Sequence, residues 1–239
     1  MIDLTIPFDD GFVNNNLRVA TEYDIVSVLN NYGEQMKIKY VLLDGVAYGD
    51  VSRYAATLPR ERQEKIERLR FEKDKLLSLV AGLLIRHEIG DVPMVVNEHG
   101  KPYVADAKKF FSVSHSGTCV MIAVDDREIG ADVEKLPEKD YLKIAERFYH
   151  PNEREYVKRA ADPARAFAHI WTRKEAYLKQ LGIGIATDLT AFDTTSGELS
   201  ERLRTFDIEG YAISVCTEYP LNDETYISKL ELKGLLKQD

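Results

Sequence analysis

The sequence predicts an α+β fold built from two similar halves related by a pseudo-twofold axis, and three observations carry that expectation. Strand-like apolar runs and helical stretches occur in both halves of the 239 residues. Each half holds a helical region that opens on a proline and closes on a glycine, Pro59 to Gly90 and Pro151 to Gly182, with equal separation. Glu61-Arg62 and Glu153-Arg154 fall at matching offsets after those prolines. Proline suits a first helical turn because its missing N–H has no intrahelical partner there, and glycine suits the turn that ends a helix. No Pro-, Gly- or Ser-rich linker divides the chain. The boundary is expected at the Asp125-Asp126-Arg127 turn, giving residues 1–126 and 127–239, with the active site in the cleft between the halves.

The elements follow in order. Ile38 to Val46 reads as a buried strand. The first helical region begins with a mixed-charge stretch, Arg60 to Lys75, and continues as the apolar run Leu76 to Ile85. Cys119 to Val124 and Ile129 to Glu134 read as strands. In the second helical region Asp162-Pro163 offers an N-cap and an N1 proline, so a new helix should start there and run to Leu181. Thr194-Thr195-Ser196-Gly197 reads as a turn. Tyr211 to Glu218 and Ile227 to Leu232 alternate as strands expected to close the second sheet.

Composition excludes several classes. With 32 Lys+Arg against 40 Asp+Glu, a net charge of -8, the chain has no cationic excess for wholesale nucleic-acid binding. At 44% hydrophobic and 30% charged residues it can build a core. The longest nearly apolar stretch, Leu76 to Ile85, is interrupted by Ser78 and Gly82 and falls far short of the roughly 20 residues of a membrane span. Met1 to Asp10 has three Asp and no basic residue, so no signal peptide is expected. Cys119 and Cys216 lack metal-type spacing, and two buried thiols in a reducing cytoplasm are expected.

Four segments could carry chemistry. On a strand, Ile129, Ala131 and Val133 share one face while Asp132 and Glu134 share the other. Two such carboxylates form either a solvated strand face or a site for a hard divalent cation such as Mg²⁺. On the helix ending at Leu181, Trp171, Glu175 and Lys179 recur every four residues and line one stripe. That stripe is either an ordinary Glu–Lys surface pair or, if partly buried beside the tryptophan, a third carboxylate and a phosphate-binding cation. Phe110-Phe111-Ser112-Val113-Ser114-His115-Ser116-Gly117 is a strand entering a turn. Adjacent strand residues point to opposite faces, so Ser114 and His115 do not form a nucleophilic dyad, and His115 is better read as a donor to an anion. Arg60 to Lys75 carries seven basic and five acidic residues, a solvated helix face or a phosphate grip. No Gly-rich phosphate loop is present, so side chains would hold any nucleotide.

In this order, FSVSHSG, IGADVEKL and WTRKEAYLKQLGIG resemble the motifs F-N-x-S-H-S, G-x-D-x-E and W-x-x-K-E-A-x-x-K of the 4'-phosphopantetheinyl transferases, in their longer group with two fused halves. The resemblance runs from about Leu58 to Gly184 and includes the turn Gly100-Lys101-Pro102. Ser112 stands in place of the usual Asn and Ala131 in place of the usual Ile or Val, and neither change removes a charge. The resemblance implies transfer of the 4'-phosphopantetheine group of coenzyme A to a serine hydroxyl of an acyl or peptidyl carrier protein, with release of 3',5'-ADP. It implies Asp132, Glu134 and Glu175 as ligands of Mg²⁺. His115 and Lys179 would contact the phosphates. Lys101, Pro102, Ser114 and Lys174 would hold the coenzyme, Arg62 and Lys65 its 3'-phosphate, and Ser78 would lie near the nucleotide. Glu175 or Glu153 would take the serine proton, and Lys179 would assist the leaving oxygen. The fused length implies a monomer. Leu136 to Tyr149, with Tyr141, Leu142, Ile144 and Phe148, is the candidate carrier-docking segment, or else a helix packed on its own sheet. A Mg²⁺-dependent nucleotide phosphohydrolase and a silent coenzyme A-binding scaffold are the alternatives.

Overall fold

The structure is a computed structural model that describes residues 36–104, 109–184, 187–221 and 225–237. All of them belong to one compact unit, Glu34–Asp239. The first 35 residues of the expected N-terminal half lie outside the described residues.

Strand β1 (Met36–Leu42) leads through a one-turn helix into α1 (Arg60–Arg68) and α2 (Glu72–Ile89). The expected single helical region is therefore broken. Leu69 and Phe71 take extended conformations between α1 and α2. A short hairpin, β2 (Met94–Val96) and β3 (Pro102–Val104), precedes β4 (Phe110–Ser116) and β5 (Cys119–Asp125). The second half repeats the plan: β6 (Ile129–Lys135), the helices α3 (Tyr141–Phe148), α4 (Pro151–Arg159) and α5 (Pro163–Leu181), then β7 (Leu203–Ile208) and β8 (Tyr211–Thr217). The repetition is topological. One sheet runs β4-β5-β1 and the other β7-β8-β6, so in each the last strand made sits in the middle, antiparallel to both neighbours.

One strand breaks the symmetry. β9 (Thr225–Lys229) does not close the second sheet as expected. It returns to the first, pairing parallel with β1 from Met36↔Thr225 to Tyr40↔Lys229. A cut at 126/127 falls in the turn between β5 and β6 but leaves this strand on the wrong side.

The layers are helix, sheet, sheet, helix, and side-chain alternation explains them. Val120, Ile122 and Val124 of β5 face α2, where they meet Leu79, Val80, Leu83 and Leu84. Cys119, Met121 and Ala123 face the second sheet, meeting Ile129, Ala131, Val133, Ile213 and Val215. A strand covered on both faces must be apolar throughout, and every residue of β5 is buried. On β6 the alternation places Ile129, Ala131 and Val133 in this shared core, which leaves Gly130, Asp132 and Glu134 toward α5.

Helix α5 is bounded as its sequence predicts. Asp162 accepts a hydrogen bond from the Arg165 amide, Pro163 occupies the first turn, and Gly182 at φ 68 ends the helix in the left-handed region. Gly130 lets it lie directly on β6, because a Cβ there would strike the Ala176 carbonyl and the Gln180 amide. Among the described residues no helix is long and apolar enough to cross a membrane.

Candidate functional site

The sequence stripe of α5 and the acidic face of β6 meet. Asp132, 4% exposed, accepts hydrogen bonds at Oδ1 from Lys179 Nζ at 2.6 Å and Ser114 Oγ at 2.7 Å. Lys179 Nζ also donates to Ser114 Oγ at 2.9 Å. Glu134 accepts at Oε2 from Ser116 Oγ at 2.6 Å. Glu175, 8% exposed, stands one turn before Lys179. Burial pushes the Glu175 carboxyl up to about 6, the negative charges of Asp132 and Glu134 add to that rise, and Lys179 opposes it. Burial likewise raises Glu134, with Asp132 contributing and the Ser116 hydroxyl opposing. Three acids crowd one water-poor place with one lysine among them.

The test for a bound cation is the state of their oxygens. Asp132 Oδ2 and Glu175 Oε1 are buried without a hydrogen-bond partner. A buried carboxylate oxygen without a donor is costly unless a cation serves it. Among the described residues no three His, Cys, Asp or Glu side chains are grouped so that they hold a metal ion by themselves. An incomplete protein shell is what Mg²⁺ prefers, because it keeps several waters and takes the rest of its oxygens from phosphates. The residues therefore fit a hard divalent cation with room for a phosphate ligand.

Basic side chains adjoin the acids. His115, at the end of β4, is lowered from its ordinary value by partial desolvation, then by the charges of Lys179 and Lys65, while Asp74 opposes them. Lys65 is lowered by desolvation and by neighbouring Arg62, itself lowered by desolvation. The Arg62 stem lies over Gly82 of α2, and Ser78 sits one turn earlier with its hydroxyl buried and unpartnered. Arg62 presses on Lys65, Lys65 and Lys179 press on His115, and with the unsatisfied Ser78 hydroxyl these groups suit a multiply charged anion.

Lys101 lies at one edge of a cavity of ≈ 240 Å³ lined also by Tyr103, Phe110, Phe111, Glu128 and Leu181. Its ammonium donates to the Gln180 carbonyl at 3.1 Å and lies 3.7 Å from Glu128. Asn97 secures the turn: Oδ1 accepts from the amides of His99 and Lys101, and Nδ2 donates to the Gly182 carbonyl. Pro102, half-buried, opens β3 opposite Val96.

Two expected site residues are placed elsewhere. Glu153 and Lys174 are each 0% exposed and pair at 2.7 Å. Lys174 Nζ further donates to the carbonyls of Leu189 and Phe192 and lies 4.2 Å from the Phe192 ring centroid. Glu153 also accepts from the amide and hydroxyl of Thr194 and from the His150 amide. Every polar atom of the pair is engaged and sealed, so in this conformation neither contacts a coenzyme or takes a substrate proton. Glu153 and Lys174 fasten α4 and the 189–194 segment to α5. Trp171 likewise packs in an aromatic cluster with Phe148, Tyr149 and Phe167. Sequence reasoning missed Ser116, Asn97 and the close approach at Gly130. Alternation of Ser112, Ser114 and Ser116 on one strand face was the available signal for the first.

Buried acids with unserved oxygens, beside basic side chains at the seam of a duplicated α+β fold, make a site whose chemistry suits a phosphate-rich ligand. Comparisons with known proteins show the family. Residues 128–226 match the 4'-phosphopantetheinyl transferase superfamily, and residues 48–127 match the family described as 4'-phosphopantetheinyl transferase, N-terminal. A 4'-phosphopantetheinyl transferase of Bacillus subtilis is 31% identical over 210 residues, 77% of this chain and 93% of the relative. The 4'-phosphopantetheinyl transferase psf-1 of Bacillus pumilus is 35% identical over 202 residues, 74% and 86% of the two chains. The 4'-phosphopantetheinyl transferase Sfp of Bacillus subtilis (strain 168) is 29% identical over 224 residues, 82% of this chain and 100% of the relative. The chain belongs to the 4'-phosphopantetheinyl transferase superfamily.

Proposed function

We propose that the protein transfers the 4'-phosphopantetheine group of coenzyme A to a serine hydroxyl of an acyl or peptidyl carrier protein. The serine oxygen attacks the β-phosphorus, the bond from that phosphorus to the bridging oxygen breaks, and 3',5'-ADP leaves with the bond's electrons. The observation that carries the reading is the meeting of Asp132, Glu134, Glu175 and Lys179 beside His115, Lys65 and Arg62. Asp132, Glu134 and Glu175 would hold Mg²⁺, which supplies charge neutralisation to the pyrophosphate when bound. Phosphoryl transfer needs positioning and charge neutralisation more than covalent help.

Arg62, Lys65 and the Ser78 hydroxyl bind the 3'-phosphate. Lys101 and Pro102 border the base, and His115 contacts the pyrophosphate. Lys179, already hydrogen-bonded to Ser114 and Asp132, stabilises the departing oxygen. With Glu153 sealed in its ion pair, Glu175 is the remaining candidate for the serine proton, directly or through a water. The carrier docks along α3, where Leu142 and Ile144 are exposed while Ala145 is buried against α5. The protein acts as a monomer in the cytoplasm. Its two buried free thiols, both pushed up to about 12, suit a reducing compartment.

Intact-mass spectrometry of an apo carrier incubated with the protein, coenzyme A and Mg²⁺ tests the reading, with Glu175→Ala and metal-free controls. A mass gain of one phosphopantetheinyl group, lost in both controls, is the expected result. Coenzyme binding without transfer to any carrier would identify a scaffold, and 3',5'-ADP release without a carrier a hydrolase.

A further inference from the structure

Among the described residues β4 and β6 each form the edge of a sheet, and a sheet edge presents main-chain donors and acceptors that need partners. The two edges face each other at the seam between the halves. They do not pair as a ladder. Three serines on alternate residues of β4 span the seam instead.

Ser112 Oγ accepts from the Ala131 amide at 2.9 Å and donates to the Ala131 carbonyl. Ser114 Oγ donates to Asp132 and accepts from Lys179. Ser116 Oγ accepts from the Lys135 amide at 3.2 Å and donates to Glu134 Oε2 at 2.6 Å. Each hydroxyl both donates and accepts, so no rung leaves its O–H unused. The same strand thus satisfies the edge of the other sheet and grips two of its acids.

We infer that this hydroxyl ladder fixes the cation site to the seam, and that Ser116 is a positioning residue for Glu134. The inference rests on the divalent-cation reading above. Asp132 has a second anchor in Lys179. Ser116 holds Glu134 Oε2 at 2.6 Å, the Lys135 main chain contributes less, and the Lys135 amide fixes Ser116 in turn. An unanchored glutamate samples several rotamers and must give them up to bind a cation. Ser116 removes that freedom beforehand. Partners of metal ligands typically change metal affinity by 10- to 100-fold when lost.

The test measures Mn²⁺ dissociation constants by electron paramagnetic resonance, without coenzyme A, alongside urea unfolding midpoints. The proteins are wild type, Ser116→Ala, Ser116→Thr, Ser112→Ala and Glu134→Ala. Ser116→Ala is expected to weaken Mn²⁺ binding about 10-fold, and Ser116→Thr, which keeps the hydroxyl, to restore it. Ser112→Ala, whose rung touches only main chain, is expected to lower the unfolding midpoint and keep the affinity. Ser116→Ala binding within about twofold of wild type would overturn the inference. So would an equal loss in Ser112→Ala, because the effect would then come from the seam as a whole. If wild type takes up no more Mn²⁺ than Glu134→Ala, the divalent-cation reading falls, and the inference falls with it.

Discussion

Replacing Glu175 with glutamine should make the metal-free protein more stable while abolishing transfer. Burial and the neighbouring acids hold this carboxyl at about 6, against 4.5 for an unperturbed glutamate. An acid whose value is raised in the folded state favours the folded state while protonated. That contribution is fully present below about 4.5 and is lost as the pH rises through about 6. Between those limits the difference of about 1.5 units corresponds to about 2 kcal/mol. Glutamine keeps the shape and carries no charge, so Glu175→Gln should gain about 2 kcal/mol at pH 7.5. For a chain of this size that is roughly 4–8 °C in Tm. At pH 4.5 the gain should shrink to about a few tenths of a kcal/mol, because the wild-type carboxyl is then protonated in the folded protein. Urea unfolding at both pH values, with chelator and then with excess Mg²⁺, reads the effect. Mg²⁺ should raise the wild-type midpoint and leave the variant's nearly unmoved. An unchanged or lowered midpoint at pH 7.5, or a gain of equal size at pH 4.5, would refute the reasoning.

Other outcomes follow from the same geometry. Lys174→Met strands the Glu153 charge in the interior and should cost about 3–5 kcal/mol in chemical denaturation; adding Glu153→Gln should recover part of that loss. Gly130→Ala forces α5 away from β6 and should cost about 1–3 kcal/mol, with transfer activity falling as Glu175 and Lys179 move off Asp132. Arg62→Ala should weaken coenzyme A binding about 10-fold by calorimetry, the loss of one charge-assisted hydrogen bond, and leave dephospho-coenzyme A binding nearly unchanged.

The parts of this fold legible in the sequence are those fixed by local physics. The faces of β6 follow from period-2 burial, and the bounds of α5 from Asp162, Pro163 and Gly182. Two-residue spacing on a strand paired Asp132 with Glu134 and four-residue spacing on a helix paired Glu175 with Lys179, while the family resemblance, and not the spacing, implied that the two pairs share one site. What was illegible depended on partners distant in the chain. The polar strand β7 carries Arg204 and Asp207 and escaped notice, although Glu209-Gly210, both at positive φ, makes a hairpin turn that marks it. The alternation of β9 shows a strand without showing which sheet receives it. Lys174 and Glu153 look like members of the motif around them, and only their complete enclosure reveals a structural pair.

The return of β9 to β1 has a consequence for how the molecule is made. β1 begins at Met36 and its outer neighbour at Thr225, so nearly the whole described chain must be synthesised before that edge is covered. Until then the N-terminal half waits with a bare, largely apolar strand at its border, the condition under which nascent chains associate wrongly. A contact of such long sequence separation also slows folding, because the loop must close before the pairing rewards it. The two halves share a plan, but neither is complete alone: the later half finishes the earlier one.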